Sequence, residues 1–117
     1  MAQGVYNMTI EQGSTFKLSL VYKDSNNAAV DLSGYSARMQ IRSTLSASTK
    51  LLEVTTADVD RLWIVPSAGQ LNIKIPHSVT ALLSPSIAVY DLEIESSDGE
   101  VIKLLKGKCR IEGEVTR

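Results

Sequence analysis

The 117 residues predict an all-β domain, an antiparallel sandwich or barrel of about seven to nine short strands. Three observations point there. Apolar and polar residues alternate with period two in one stretch after another, most sharply over 35–42 and 90–95. Turn chemistry separates these stretches, at Gly13, 24–27, 31–34, 66–69 and 97–100. Only one segment, about 77–84, carries a helical signal.

In order, residues 1–5 read as a short polar lead, a candidate flexible arm. Residues 6–10 alternate and form a first strand, closed by the turn Glu11-Gln12-Gly13-Ser14. Residues 15–23 follow, with Phe16, Leu18, Leu20 and Tyr22 on one face and Lys17, Ser19, Val21 and Lys23 on the other, the pattern of a half-buried antiparallel strand. The cluster 24–27 turns the chain into a brief strand at 28–30, making a hairpin. The strand 34–43 has the clearest two-faced pattern: Tyr35, Ala37, Met39 and Ile41 inward, Ser36, Arg38, Gln40 and Arg42 outward. A loop at 44–49, a strand at 50–55, a loop at 56–60 and a short strand at 61–65 carry the chain past its only tryptophan, Trp63. After a turn at 66–69, residues 70–75 alternate again, and Pro76 ends that strand because it cannot donate to a ladder. The connector 77–84 is expected to make about two helical turns, capped by Ser78. In 87–96, Tyr90, Leu92 and Ile94 face one way and Asp91, Glu93 and Glu95 the other. The step Asp98-Gly99 then turns the chain into 101–112. There the phase slips between Ile102/Leu104 and Leu105/Gly107/Cys109/Ile111, which predicts a β-bulge near Leu104–Leu105. Residues 113–117 read as a second flexible arm.

A chain of this length closes one core, so a single domain over 1–117 is expected. Twelve Lys and Arg against 13 Asp and Glu leave a net charge of −1. That balance argues against a general binder of nucleic acid or of anionic membranes. Cys109 is the only cysteine, so no intramolecular disulfide forms, which suits a reducing compartment. Its place in an alternating run points to a small buried apolar role. No apolar run approaches the ~20 residues of a transmembrane helix. The first residues show neither basic leader nor apolar stretch, so use without export is expected.

Patterns for chemistry are missing. A lone His77 and a distant Cys109 fall short of the ligands a metal needs, so neither metal nor cofactor is expected. The serines sit in turns, without a G-x-S-x-G elbow, and no glycine loop is built to cradle phosphate. The carboxylate row Asp91, Glu93 and Glu95 lacks an Asx-rich calcium loop. It reads as a water-facing row paired across the hairpin with Lys103, Lys106, Lys108 and Arg110. Arg38 and Arg42, with Lys17 and Lys23, have no interleaved aromatics and read as a solvated or subunit-contact face. Trp63 is expected in the core, the alternative being the anchor of a protein interface. Trp63, Arg38 and Arg42 are thus the candidate interface residues, and neither an enzyme nor a small-molecule substrate is expected.

The run Tyr6-Asn7-Met8-Thr9-Ile10-Glu11-Gln12-Gly13-Ser14-Thr15-Phe16, followed by Asp31-Leu32-Ser33-Gly34-Tyr35-Ser36-Ala37-Arg38-Met39-Gln40-Ile41-Arg42, resembles small virion proteins of tailed bacteriophages, many of the T4-like and cyanophage kinds. Val89-Tyr90-Asp91-Leu92-Glu93-Ile94, Asp98-Gly99-Glu100-Val101 and Glu114-Val115-Thr116-Arg117 extend the likeness over nearly the whole chain. The early part is also similar to the N-terminal domain of phage baseplate upper proteins, which opens on a strand, a glycine turn and a D-L-S/T-G turn into a strand. The resemblance implies an Ig-like antiparallel β-sandwich made in the host cytoplasm and residing in the virion. It implies a non-enzymatic structural role in tail, baseplate or neck, in homo- or hetero-oligomeric assembly with other phage structural proteins, and it carries no catalytic residues. The alternatives are a capsid decoration protein and a carbohydrate- or host-receptor-binding module with Trp63 and the tyrosines as a stacking platform.

Overall fold

A computed structural model of the protein describes residues 4–115. Among them are nine strands: β1 (Gly4–Val5), β2 (Met8–Glu11), β3 (Phe16–Val21), β4 (Ser36–Arg42), β5 (Leu52–Thr55), β6 (Leu62–Val65), β7 (Gln70–Ile75), β8 (Ser86–Glu95) and β9 (Val101–Glu112). They form two sheets. One runs β9-β8-β4-β5, with β1 and β2 both on the outer side of β9; the other runs β3-β7-β6. With β1 and β2 counted as one interrupted strand A, the order is A-G-F-C-C′ against B-E-D, the expected immunoglobulin-like sandwich. The inward rows of both sheets meet in one apolar core that includes Ile10, Met39, Ile41, Leu62, Leu71, Ile73, Leu92 and Ile94.

The sandwich is not wholly antiparallel, however. Both N-terminal strands run parallel to β9, with Gly4 opposite Leu105 and Met8 opposite Cys109. Residues 4–5 of the expected arm are therefore strand, while the rest of that arm, 1–3, lies outside the described residues. The interruption at Tyr6-Asn7 stays tied to β9: the Tyr6 amide donates to the Lys106 carbonyl, and Asn7 Oδ1 accepts from the Lys108 amide. From β8, the Tyr90 hydroxyl donates to the Tyr6 carbonyl at 2.5 Å. Burial pushes that phenol up to about 12. Gly107 makes this seam possible, since a Cβ there would lie 2.2 Å from the Tyr6 carbonyl oxygen. In the tail arm, the Glu114 amide donates to Gln12 Oε1 at 3.1 Å, and residues 116–117 lie outside the described residues.

The expected bulge is present. Leu92 opposes Leu105 and Glu93 opposes Lys103, so Leu104 is the extra residue, and it is buried. The expected hairpin at 24–30 closes as well, although its second arm is a single bridge, Lys23 to Ala29, rather than a strand. The helical connector is shorter than expected. It is one turn, α1 (His77–Thr80), and its N-cap is Pro76 with no side-chain cap from Ser78. A tether to the first turn holds it: buried Thr80 donates from its hydroxyl to the Ser14 carbonyl, and Gln12 Nε2 donates to the Leu83 carbonyl. Between β6 and β7 a 3₁₀ turn, Pro66–Ala68, ends in Gly69 at φ +60°. The Gly69 carbonyl accepts from Tyr22 and the Pro66 carbonyl from Leu32, which ties the 22–32 loop to the smaller sheet.

Candidate functional site

The two outer faces of the sandwich carry different chemistry. On the larger sheet, β4, β8 and β9 align Arg38, Glu93 and Lys103 in one rung, Gln40, Asp91 and Lys106 in the next, and Arg42, Val89 and Lys108 in a third. Glu93 sits at the centre with 7% of its surface exposed and takes hydrogen bonds from both Arg38 Nε and Lys103 Nζ. Arg38 also reaches Glu95 at 3.1 Å, and Lys103 lies 3.8 Å from Asp91. Burial alone would raise the Glu93 carboxyl. The bonds from Lys103 and Arg38, with their charges, outweigh it and hold the group below the usual carboxylate range.

The acid row is therefore not evenly solvated, and its pairing differs from the expected cross-hairpin ladder. Lys103 alone on β9 meets the acids, while Arg38 pairs with them from β4. Arg110 instead bonds Glu112 on its own strand at 3.4 Å, and among the described residues Lys106 and Lys108 enter no ion pair. The bulge at Leu104 shifts the phase of β9 by one residue, which sets Lys106 opposite Asp91 and Lys108 opposite Val89 on the same face as Lys103.

Beside the ion-paired rung lies a groove of about 700 Å³. Its apolar surface comes from Val5, Leu45 and Val89, and its rim from Arg42, Lys103, Lys106 and Lys108, with Asp91 as its one acid. Arg42 bonds only neutral oxygens here, those of Ala47 at 2.9 Å and Gln40 at 3.0 Å, so its charge stays available. Apolar floor and cationic rim together make a surface suited to a segment that offers both apolar and acidic groups.

On the opposite face, the smaller sheet aligns Ser19, Asn72 and Trp63 in one rung. Trp63 is not a core residue: 36% of it is exposed, because it takes the outward phase of edge strand β6 while Leu62 takes the inward one. It borders a cleft of about 720 Å³ lined also by Asp58, Asp60, Arg61 and Lys74. Asp58 and Arg61 pair there at 3.4 Å.

Of the three candidate residues, Arg38 and Arg42 share a face and Trp63 lies on the other. Lys17 and Lys23 belong to the smaller-sheet side, so the four cations do not form one stripe. His77 is exposed at the start of α1. Cys109 is buried, and burial pushes its thiol up to about 11. Among the described residues no three of His, Cys, Asp and Glu cluster to hold a metal. Sequence reading missed the central position of Glu93 and the groove. The available signals were weak ones, isolated Val5 and Leu45 in otherwise polar segments.

These features define an Ig-like β-sandwich module with two chemically distinct outer faces. No protein-family model matches the chain, and no curated protein matches it.

Proposed function

We propose that the protein is a non-enzymatic structural component of a tailed-phage virion, in its tail, baseplate or neck, acting through protein–protein contacts. The resemblance carried by 6–16 and 31–42 supplies the virion. The observation that carries the assembly role is the groove on the larger sheet, where exposed Val5 and Leu45 stand beside Arg42, Lys106 and Lys108, which enter no ion pair among the described residues. Protein interfaces combine an apolar centre with a polar rim in this way. The experiment is the copy number in purified particles, by quantitative mass spectrometry against the major capsid protein. A handful of copies per particle is expected. A ratio near that of the capsid protein would make it a head decoration protein, and absence from the particle would remove the virion reading.

A second reading rests on Trp63. Its partly exposed indole beside Asp58, Asp60, Arg61 and Lys74 gives a stacking surface with hydrogen-bonding neighbours, the chemistry of a carbohydrate-binding module. Acrylamide should quench its fluorescence readily, and under this reading oligosaccharides at millimolar concentration should protect it. No protection by any glycan of the host surface would end this second reading.

A further inference from the structure

We infer that β3 is a self-association edge, pairing antiparallel with β3 of a second copy about a two-fold axis at Ser19. This rests on the reading of the protein as an assembly module and names the surface and partner.

The first argument is topological. In the constant-type immunoglobulin sandwich, strand A lies beside strand B. Here A joins β9 instead, so among the described residues β3 has β7 on one side and no strand on the other. Of the open edges among the described residues it is the longest unbroken one: six residues, against four in β5, four in β6, which runs into Pro66, and two and four in β1 and β2. It contains neither proline nor bulge, two of the devices that blunt an exposed edge.

The core is also unfinished at this edge. Phe16, Leu18 and Leu20 point inward yet are only half-buried, whereas Leu71, Ile73 and Ile75 on neighbouring β7 are at most 2% exposed. A groove of about 360 Å³ runs beside the edge, lined by Leu20, Tyr22, Ile102 and Leu104. An added strand would lay alternate apolar side chains over that row and into that groove.

The third argument selects a second copy as the occupant. The sequence Phe16-Lys17-Leu18-Ser19-Leu20-Val21-Tyr22 is nearly self-complementary about its centre. Antiparallel pairing about Ser19 sets Phe16 against Tyr22, Leu18 against Leu20 and Ser19 against Ser19. It sets each Lys17 against Val21, so that no two lysines meet. An isologous two-fold interface demands this self-complementarity, and the paired strands would join the two smaller sheets into one six-stranded sheet.

The whole chain should be examined by analytical ultracentrifugation across a wide concentration range, with two variants. Wild type should pass from monomer to dimer. Ser19→Lys places like charges face to face at the axis on an outward, exposed position, and should weaken the dimer at least about tenfold. Ser19→Cys should form an intermolecular disulfide on mild oxidation, because directly opposed residues are close enough to bridge, while Thr55→Cys on the β5 edge should not. Cys109 is buried and does not compete. Wild type that stays monomeric throughout overturns the inference, as does a dimer that persists in Ser19→Lys or fails to cross-link through residue 19. Because these are measurements on the pure protein, their failure is separable from that of the virion reading, which copy number decides.

Discussion

Strands β3 and β4 have nearly the same alternating pattern, but the fold treats them differently. Inward Ala37, Met39 and Ile41 of β4 are 0–4% exposed, while inward Phe16, Leu18 and Leu20 of β3 are half-buried. The difference lies in their neighbours. β4 is flanked by β8 and β5 and faces the opposite sheet, whereas among the described residues β3 has only β7 beside it. Burial of an alternating strand is thus set by what pairs beside it as much as by its own side chains.

The contrast can be broken most forcefully in the two inward rows. Ile41→Ala should cost about 3 kcal/mol or more in chemical denaturation, since the closed core around it cannot collapse fully into the space. Leu18→Ala, at the open edge, should cost about half as much in the monomer. Equal losses would erase the distinction between the two strands.

Next in size is the seam that closes the far side of the larger sheet. Gly107→Ala brings a methyl against the Tyr6 carbonyl, so β1 and β2 must shift away from β9. A loss of about 2 kcal/mol is expected in the same measurement. Amide exchange should rise at Tyr6 and Lys108, whose amides bond across the seam.

Glu93→Gln should cost about 1–2 kcal/mol at neutral pH, the value of charge-assisted hydrogen bonds from Arg38 and Lys103. The sign of its pH dependence follows from the lowered carboxyl. The contribution is complete above the unfolded carboxylate value of about 4.3 and disappears as pH falls through the lower folded value. Denaturation curves of variant and wild type should therefore converge in acid; a constant gap down to pH 2 would contradict the ion-pair account. The smallest effect belongs to Tyr90→Phe, about 1 kcal/mol for one hydrogen bond to the Tyr6 carbonyl.

Much of the fold was legible because strand period and turn chemistry are local. β7 falls where the alternation of 70–75 places it, and the bulge at Leu104 follows from a phase slip visible in the chain. What was not legible is pairing. Nothing in 4–11 distinguishes a strand parallel to β9 from one antiparallel to β3, yet that choice leaves the β3 edge open. Trp63 shows the same limit: in a four-residue strand either phase suits the sequence, and only the position of Leu62 under the opposite sheet sends the indole outward. Glu93 looked like its neighbours Asp91 and Glu95 because the arginine that covers it comes from β4, 55 residues away. The groove is assembled from β1, β4, β8, β9 and the loop at Leu45, so no contiguous motif marks it.

The central claim, that β3 is the longest uninterrupted open edge of the sandwich and is completed by a second copy, is tested most directly by amide hydrogen exchange at low and high protein concentration. Protection of β4 amides should not change, while amides within Phe16–Val21 should gain protection as concentration rises. Exchange in β3 that is independent of concentration, or already as slow as in β4 at the lowest concentration, would contradict it.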